Sequence, residues 1–439
     1  MHPKVLIVMT MSYSTSESSR TLDAYFHFWE HDRVSQIFTK NWVPRKGHCG
    51  ELFQITDEMI LDKWLMRKGQ DGIVYRYDDL GPQDGNHTIQ SGGTASIGYK
   101  VGVSHTPIVE LLRGLLWREK FWHTSRLDNW LDEFKPDCIL YNFSNHIFTQ
   151  QIALYVARRF DIPIIMVIGD DYYFNDHQSF SPAYHLFRRK FKRLTEQVVS
   201  YSSGAAYCSE KIKDKYSSHF GLDGNAIYIS STLHRRPFRP INAKNPSVVY
   251  AGSVRLGRDA ALCELANGLG RIDESYRLTV YSNEPDPAYR HKLMSNPFVE
   301  FGGQIPYDEV RRVISEADIF VIAEGFDEEN LLFTRYSLST KAADALASGV
   351  SIFTYGPADS GVVGYMEETD ASVICTNPSD VEDSLRRLID DVDLQERLYT
   401  KAEEVTLRNH TIESSCSSFE DLIQKSVCAK TPRNVGDVR

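Results

Sequence analysis

Short apolar, β-branched runs alternate with longer stretches of helical period along almost the whole chain, in two successive series. This order points to parallel strands joined by crossover helices, since a parallel neighbour needs a dozen or more intervening residues where an antiparallel one needs only a tight turn. In the first series strands are expected at residues 4–9, 138–142, 163–168, 205–209 and 226–230. In the second they are expected at 247–252, 277–282, 299–302, 318–324, 350–355 and 371–375. Helices are expected near 21–30, 379–390, 394–405 and 412–425, besides those between the strands. Residues 72–102 are rich in Gly, Asp and Ser and lack a clear period, which predicts loops or a β-hairpin insertion over the sheet.

Between the two series stands HRRPFRPINAKNPS, residues 234–247, whose prolines, basic residues and lack of period mark an interdomain linker. A chain of 439 residues also exceeds what one hydrophobic core organises. The expected fold is α/β, with two Rossmann-like doubly wound domains over residues 1–240 and 241–405, and a helix and tail, 406–439, packing back on the first domain. Doubly wound sheets bind ligands at the carboxyl ends of their strands, so two such domains facing a central cleft suit a donor and an acceptor. Binding proteins use the same plan, so it does not by itself select an enzyme.

The charge balance, 49 basic against 59 acidic residues and net -10, argues against a protein devoted to coating nucleic acid. Cys49, Cys138, Cys208, Cys263, Cys375, Cys416 and Cys428 are scattered singly, without a C-x-x-C pair, as reduced thiols in a cytoplasm would be. The opening MHPKVLIVMTMSYS has too short an apolar run for a signal peptide and reads as a first strand. No segment approaches the roughly 18–20 apolar residues that span a bilayer. A cytoplasmic location is expected, with a peripheral position on the inner face of a membrane as an extension of it.

The most informative stretch is ADIFVIAEGFDEENLLFTRYSLSTKAADALASGVSIFTYGP, residues 317–357. An apolar strand ends there in the carboxylate of Glu324, at the sheet edge where ligands bind. Ser337, Ser339 and Thr340 lead into a helix expected over 340–348, so hydroxyls and unpaired N–H groups can hold a diphosphate, with the charge of Lys341 at the same spot. Asp344 lies one turn further in, where a carboxylate can accept both hydroxyls of a ribose. Gly349 ends the helix as a C′ glycine. The plainer reading is that Ser339 caps a helix and Asp344 is solvated in its first turn.

This stretch resembles the donor-binding region of GT-B glycosyltransferases of the retaining Glu-x7-Glu kind, glycosyltransferase family 4-like, in which a strand, a loop, a helix ending in A-x-A-x-G and another strand follow in that order. The likeness extends more weakly over residues 247–390, and the amino-terminal half matches only in general plan. In that family the second glutamate binds the ribose, and Asp344 occupies its position. Two departures stand out: Asp replaces Glu, and Tyr336 stands eight residues earlier where the first glutamate belongs. Glu324, Glu328 and Glu329 are then the candidates for the first carboxylate. The segment YAGSVRLGRDAALCELANGL, from Tyr250, resembles the first strand and loop of the family's donor domain. The resemblance implies that Arg255 and Arg258, after the turn at Ser253, neutralise a leaving diphosphate, as fixed cations aimed at developing charge can; two surface arginines at a helix start are the alternative. Asn283, with Ser282 and Glu284, stands where the edge of a nucleotide-base pocket or a plain turn would be.

In the amino-terminal half the loop TMSYSTSESSR corresponds to one that lines the cleft in GT-B enzymes, with serines where glycines are common. Asp170 and Asp171 end the strand PIIMVIG and are candidate catalytic carboxylates facing an acceptor hydroxyl, or equally an N-cap and its neighbour. His146 is a lesser candidate. Over 184–198, Tyr184, Phe187, Phe191, Leu194 and Val198 form an apolar stripe among Arg188, Arg189, Lys190, Lys192 and Arg193. That pattern fits a helix lying on anionic lipid, and equally a basic surface helix packed on a sheet. LLWREKFWHTSRLDNWL, residues 115–131, reads as core, with contact of its tryptophans to a lipid-linked acceptor as the other reading.

No H-E-x-x-H, Walker loop or clear G-x-G-x-x-G is present, and no Asp-x-Asp element implies a metal, so neither metal nor cofactor is expected. The function implied by the resemblance is transfer of a sugar from a UDP- or GDP-linked donor to a hydroxyl of a glycan or lipid-linked acceptor, with retention, in cell-surface polysaccharide synthesis. The alternatives are a GT-B epimerase or inverting transferase, and a non-catalytic nucleotide-binding scaffold.

Overall fold

The computed structural model describes residues 2–13, 20–44, 46–67, 69–81, 107–176 and 179–428. The chain divides into two compact units, residues 1–227 with 416–439, and residues 228–415.

The first unit is built on an eight-stranded sheet: β1 (Val5–Val8), β2 (Val34–Phe38), β3 (Glu51–Gln54), β4 (Ile73–Arg76), β5 (Cys138–Asn142), β6 (Ile164–Ile168), β7 (Ser202–Tyr207) and β8 (Gly224–Ala226). They lie in the order β4-β3-β2-β1-β5-β6-β7-β8. All neighbours are parallel except β3 and β4. Strands buried on both faces need continuous apolar runs, and the Val5–Val8 and Ile164–Ile168 runs supply them. The expected stretch 72–102 contributes β4, while residues 82–106 lie outside the described residues. β7 and β8 begin a few residues earlier than their apolar runs suggest.

The helix Pro182–Ser200 buries Tyr184, Phe187, Phe191 and Val198, packing against the helices Pro107–Leu116 and Ile147–Phe160. Arg188 is buried too, its guanidinium donating to Asp176 Oδ1 at 2.7 Å and to the carbonyls of Tyr172 and Tyr173 at 2.8 and 2.7 Å. The stripe that would enter lipid is thus occupied by the protein's own interior, as in the packed-helix reading. Trp117, Trp122 and Trp130 are buried as well, so the 115–131 tryptophans serve the core. No described helix is long and apolar enough to cross a membrane. All seven cysteines are free thiols.

The second unit holds β9 (Val248–Ala251), β10 (Leu278–Tyr281), β11 (Val299–Gly303), β12 (Ile319–Ala323), β13 (Ser351–Tyr355) and β14 (Val373–Cys375) in the order β11-β10-β9-β12-β13-β14. Every pair is parallel. The order reverses between β9 and β12, and at such a switch point the connections leave in opposite directions and open a crevice.

The segment expected as a linker lies within this unit. Its arginines reach the carboxyl ends of two helices, Tyr307–Glu316 and Thr340–Ser348, where unpaired carbonyls and the helix dipole favour cations. Arg236 donates to the carbonyls of Ser315 (2.9 Å), Ala317 (2.6 Å) and Gly349 (3.3 Å), and Arg235 to that of Leu346 (3.0 Å). Burial pulls the Arg236 guanidinium down to about 10, which still leaves it charged at neutral pH. Arg236→Ala strips three carbonyls of a charged donor and is expected to lower unfolding stability by about 3 kcal/mol. Denaturant titration of the purified chain measures this, and Arg236→Lys, lacking the planar fork, should recover only part.

The last long helix, Ile412–Cys428, belongs to the first unit from Cys416 onward. Its Phe419 stacks on Tyr25 at 4.4 Å and meets Phe26 edge-on at 5.1 Å.

Candidate functional site

At the β9/β12 switch point two loops press together. The chain after β9 turns through Leu256 and Gly257, at φ 59° and 75°, into the helix Arg258–Ile272. The chain after β12 passes so close that a Cβ on Gly325 would lie 2.2 Å from the Leu256 carbonyl oxygen. Across this junction Arg258 and Glu324 form a two-pronged pair, Nε to Oε2 and Nη2 to Oε1, each 3.0 Å. Their side chains are 14% and 4% exposed, so the pair is largely shut off from water. Burial is the largest single influence and works against the Arg258 charge, but the charge of Glu324, that of Tyr250 and the hydrogen bond to Glu324 together outweigh it and leave the guanidinium above its ordinary value.

Lys341 enters from the start of the Thr340–Ser348 helix. Ser339 sits at the N-cap in extended conformation, but its side chain makes no cap hydrogen bond. Lys341 crosses directly above Gly252: a Cβ there would fall 2.0 Å from Cε of the lysine. Its Nζ lies 3.3 Å from the Tyr250 hydroxyl and 4.9 Å from the centre of that ring. The Tyr250 hydroxyl donates in turn to the Ser253 carbonyl, 2.5 Å away, which holds the loop after β9. Gly252→Ala is therefore expected to push Lys341 aside and to strain a backbone at φ 148°, removing most of the donor turnover that the resemblance implies while the unit stays folded. Circular dichroism beside a transfer assay separates the two effects.

Arg255 grips Glu284, after β10, through Nε to Oε2 at 2.5 Å and Nη2 to Oε1 at 2.8 Å. This hydrogen bond holds the Glu284 carboxyl below its usual range. Arg255 itself is 56% exposed. Ser253 accepts from the Arg255 N–H at 3.3 Å, and Ser253, Asn283 and Thr340 are exposed at the same sheet edge. Ser337 donates to the Phe333 carbonyl at 3.2 Å. Asp344 is 4% exposed, and its Oδ1 accepts from the Ser231 hydroxyl at 2.6 Å. It is therefore a buried, fixed carboxylate rather than a solvated one.

The sequence expects Arg255 and Arg258 both to face a diphosphate, yet each is paired with a carboxylate. Lys341 is the cation of this edge that no carboxylate neutralises among the described residues. The partners Tyr250, Glu284 and Ser231 were not legible as such in the sequence. The one local signal was Tyr250, an aromatic with a polar tip closing an apolar run just before a glycine.

In the first unit Asp171 follows β6 and is fully engaged. Oδ1 accepts from the Phe174 N–H at 3.0 Å and the Tyr216 hydroxyl at 2.9 Å, and Oδ2 from Lys215 at 2.9 Å. Burial first, and the charge of Asp171 second, push the Tyr216 hydroxyl well above its ordinary value. Asp171 thus holds a turn, whereas Asp170 is exposed and accepts from the Tyr172 hydroxyl at 3.2 Å. His146, at the start of the Ile147–Phe160 helix, has its Nδ1 3.4 Å from Oε2 of the buried Glu110.

Residues 258–421 match the family model described as glycosyl transferase-like. None of the curated proteins matches the chain. Among solved structures, sucrose-phosphate synthase from Thermosynechococcus elongatus aligns with TM-score 0.60 at 11% identity, over 97% of this chain and 99% of that one. Anabaena HepE in complex with UDP and glucose aligns with TM-score 0.58 at 11% identity, over 96% and 100%. A glycosyltransferase from Rickettsia africae aligns with TM-score 0.58 at 10% identity, over 98% and 99%. At these identities the likeness establishes the fold alone: the chain has the GT-B architecture of two Rossmann-like parallel-sheet domains, and its residues 258–421 are similar to the glycosyl transferase-like family.

Proposed function

We propose that the chain is a glycosyltransferase that takes a sugar from a nucleotide diphosphate donor, UDP- or GDP-linked, and passes it to a hydroxyl of a glycan or lipid-linked acceptor in cell-surface polysaccharide synthesis. The observation that carries this reading is Lys341, an unneutralised cation laid over Gly252 at the start of a helix whose N-cap side chain makes no cap bond. A leaving nucleoside diphosphate gains charge as the glycosidic bond breaks, and Lys341 with the N–H groups of that helix would stabilise it. Ser337, Ser339 and Thr340 would add hydroxyl donors. The Arg258–Glu324 pair would set the floor beneath the phosphates, and Arg255, exposed at the rim, would exchange Glu284 for a phosphate oxygen. Asp344, its rotamer fixed by Ser231, would accept the ribose hydroxyls, and Asn283 would border the base. Asp170, the exposed carboxylate of its pair, would serve on the acceptor side. Retention, with the leaving phosphate taking the acceptor proton, is the stereochemistry that the resemblance to the Glu-x7-Glu kind implies.

HepE is solved with UDP-glucose, and WaaG, another protein of this fold, is described as a glycosyltransferase involved in lipopolysaccharide biosynthesis; both support the donor and acceptor classes. The test is donor hydrolysis or transfer across a panel of nucleotide sugars, with the anomer read by NMR. Asp344→Asn should raise KM for the donor severalfold or more. If it lowers only thermal stability, as Ser231→Ala would by loosening the same hydrogen bond, the ribose role is lost.

A further inference from the structure

The first unit gathers two imidazoles and a carboxylate that have no part in the proposed transfer. Asp23 lies in the helix Arg20–Tyr25, His27 four residues on in the turn that follows it, and His48 in the segment leading into β3. One ligand atom from each lies within 4.8 Å of the others. His48 Nε2 is already 2.8 Å from Asp23 Oδ1. The His48 ring is held by stacking on Tyr13, 5.8 Å between centroids at 25°, and stands 6.1 Å from the ring of His27.

We propose that Asp23, His27 and His48 bind one divalent metal ion of the zinc class, as three protein ligands with a fourth position open to solvent. Two nitrogen donors beside a single carboxylate suit Zn²⁺, with Co²⁺ as its stand-in, and not Mg²⁺ or Ca²⁺, which want oxygen cages. Metal–ligand bonds of about 2.0–2.1 Å in a tetrahedron place ligand atoms about 3.3 Å apart. The present spacings reach that value by side-chain rotation: the Asp23–His48 contact opens by about half an ångström and His27 swings in. The ion takes the place of the proton now shared between His48 and Asp23, so binding releases that proton to solvent. Access is open, since His27 is exposed and the Asp23 side chain is 32% exposed. The ion would clip the helix after β1 to the segment entering β3.

The test uses the full chain without an affinity tag, stripped by a chelator and titrated calorimetrically with ZnCl₂, then with Co²⁺ followed by visible absorption. One ion per chain, intense four-coordinate Co²⁺ bands and a rise in melting temperature with Zn²⁺ are expected. His27→Ala, at an exposed position, should weaken Zn²⁺ by about 100-fold or more, the upper end of the range that even outer-sphere changes produce, and abolish the Co²⁺ bands. Asp23→Asn should do likewise. Absence of saturable binding, or affinity unchanged in His27→Ala and Asp23→Asn, overturns the proposal. MgCl₂ that competes at equal concentration does so too.

Discussion

Lys341→Ala is expected to lower kcat/KM for the nucleotide-sugar donor by about 10²–10³-fold, the loss typical when one preorganised electrostatic partner of a developing anion is removed. The side chain is partly exposed and lies against Tyr250 and Gly252, so the fold should lose less than about 1 kcal/mol. Lys341→Arg should not rescue turnover. The lysine stem threads over Gly252 with no room to spare, and a planar guanidinium cannot follow that path. Steady-state transfer with a UDP or GDP titration decides the matter: an unchanged kcat/KM in Lys341→Ala would remove the diphosphate from this helix.

Breaking the Arg258–Glu324 pair should have the largest effect on stability. Glu324→Ala leaves a guanidinium at 14% exposure facing no carboxylate, a situation that costs about 3–5 kcal/mol in buried pairs. The double variant Arg258→Met with Glu324→Leu fills the same space without charge and should return most of that stability. It should stay inactive, because the loops after β9 and β12 would then meet without the fork that fixes their register. Denaturant melts paired with donor turnover test this directly. A double variant that regains both properties would make the pair mere packing, and one that regains neither would show that the loops themselves cannot close without it.

The second unit was legible because its signals are local. All six of its strands lie within a few residues of their apolar runs, and the helix Thr340–Ser348 begins and ends where Ser339 and Gly349 say it should. In the first unit β2 and β3 escaped notice because polar residues interrupt them. Gln36 is fully buried and ties two loop residues to β2, accepting from the Tyr13 N–H at 2.5 Å and donating to the Met11 carbonyl at 2.8 Å. Gln54 does the same for β3, donating to the carbonyls of Lys40 and Trp42. A buried amide with its partners supplied is as much at home in a sheet as valine, but hydrophobic patterning cannot see it.

The site was legible residue by residue and not as an arrangement. Lys341 stood out at a helix start, yet its anchor Tyr250 lies 91 residues away, and Arg258 meets Glu324 across 66. Long-range pairing of this kind is decided by strand order, which the sequence does not spell out. The expected linker shows a related ambiguity: prolines and arginines without a period describe a connector, but also an extended strap whose guanidinium groups find helix ends to cap.

That strap bears on how an anion could be recognised. The helix headed by Lys341 is moored at its far end by Arg235 and Arg236, permanent cations on the carbonyls of Leu346 and Gly349. The alignment of its amide dipoles is settled when the chain folds, so at the proposed site an arriving phosphate would meet a receptor already in position, and selectivity among donors would fall to the shape of the rim around it.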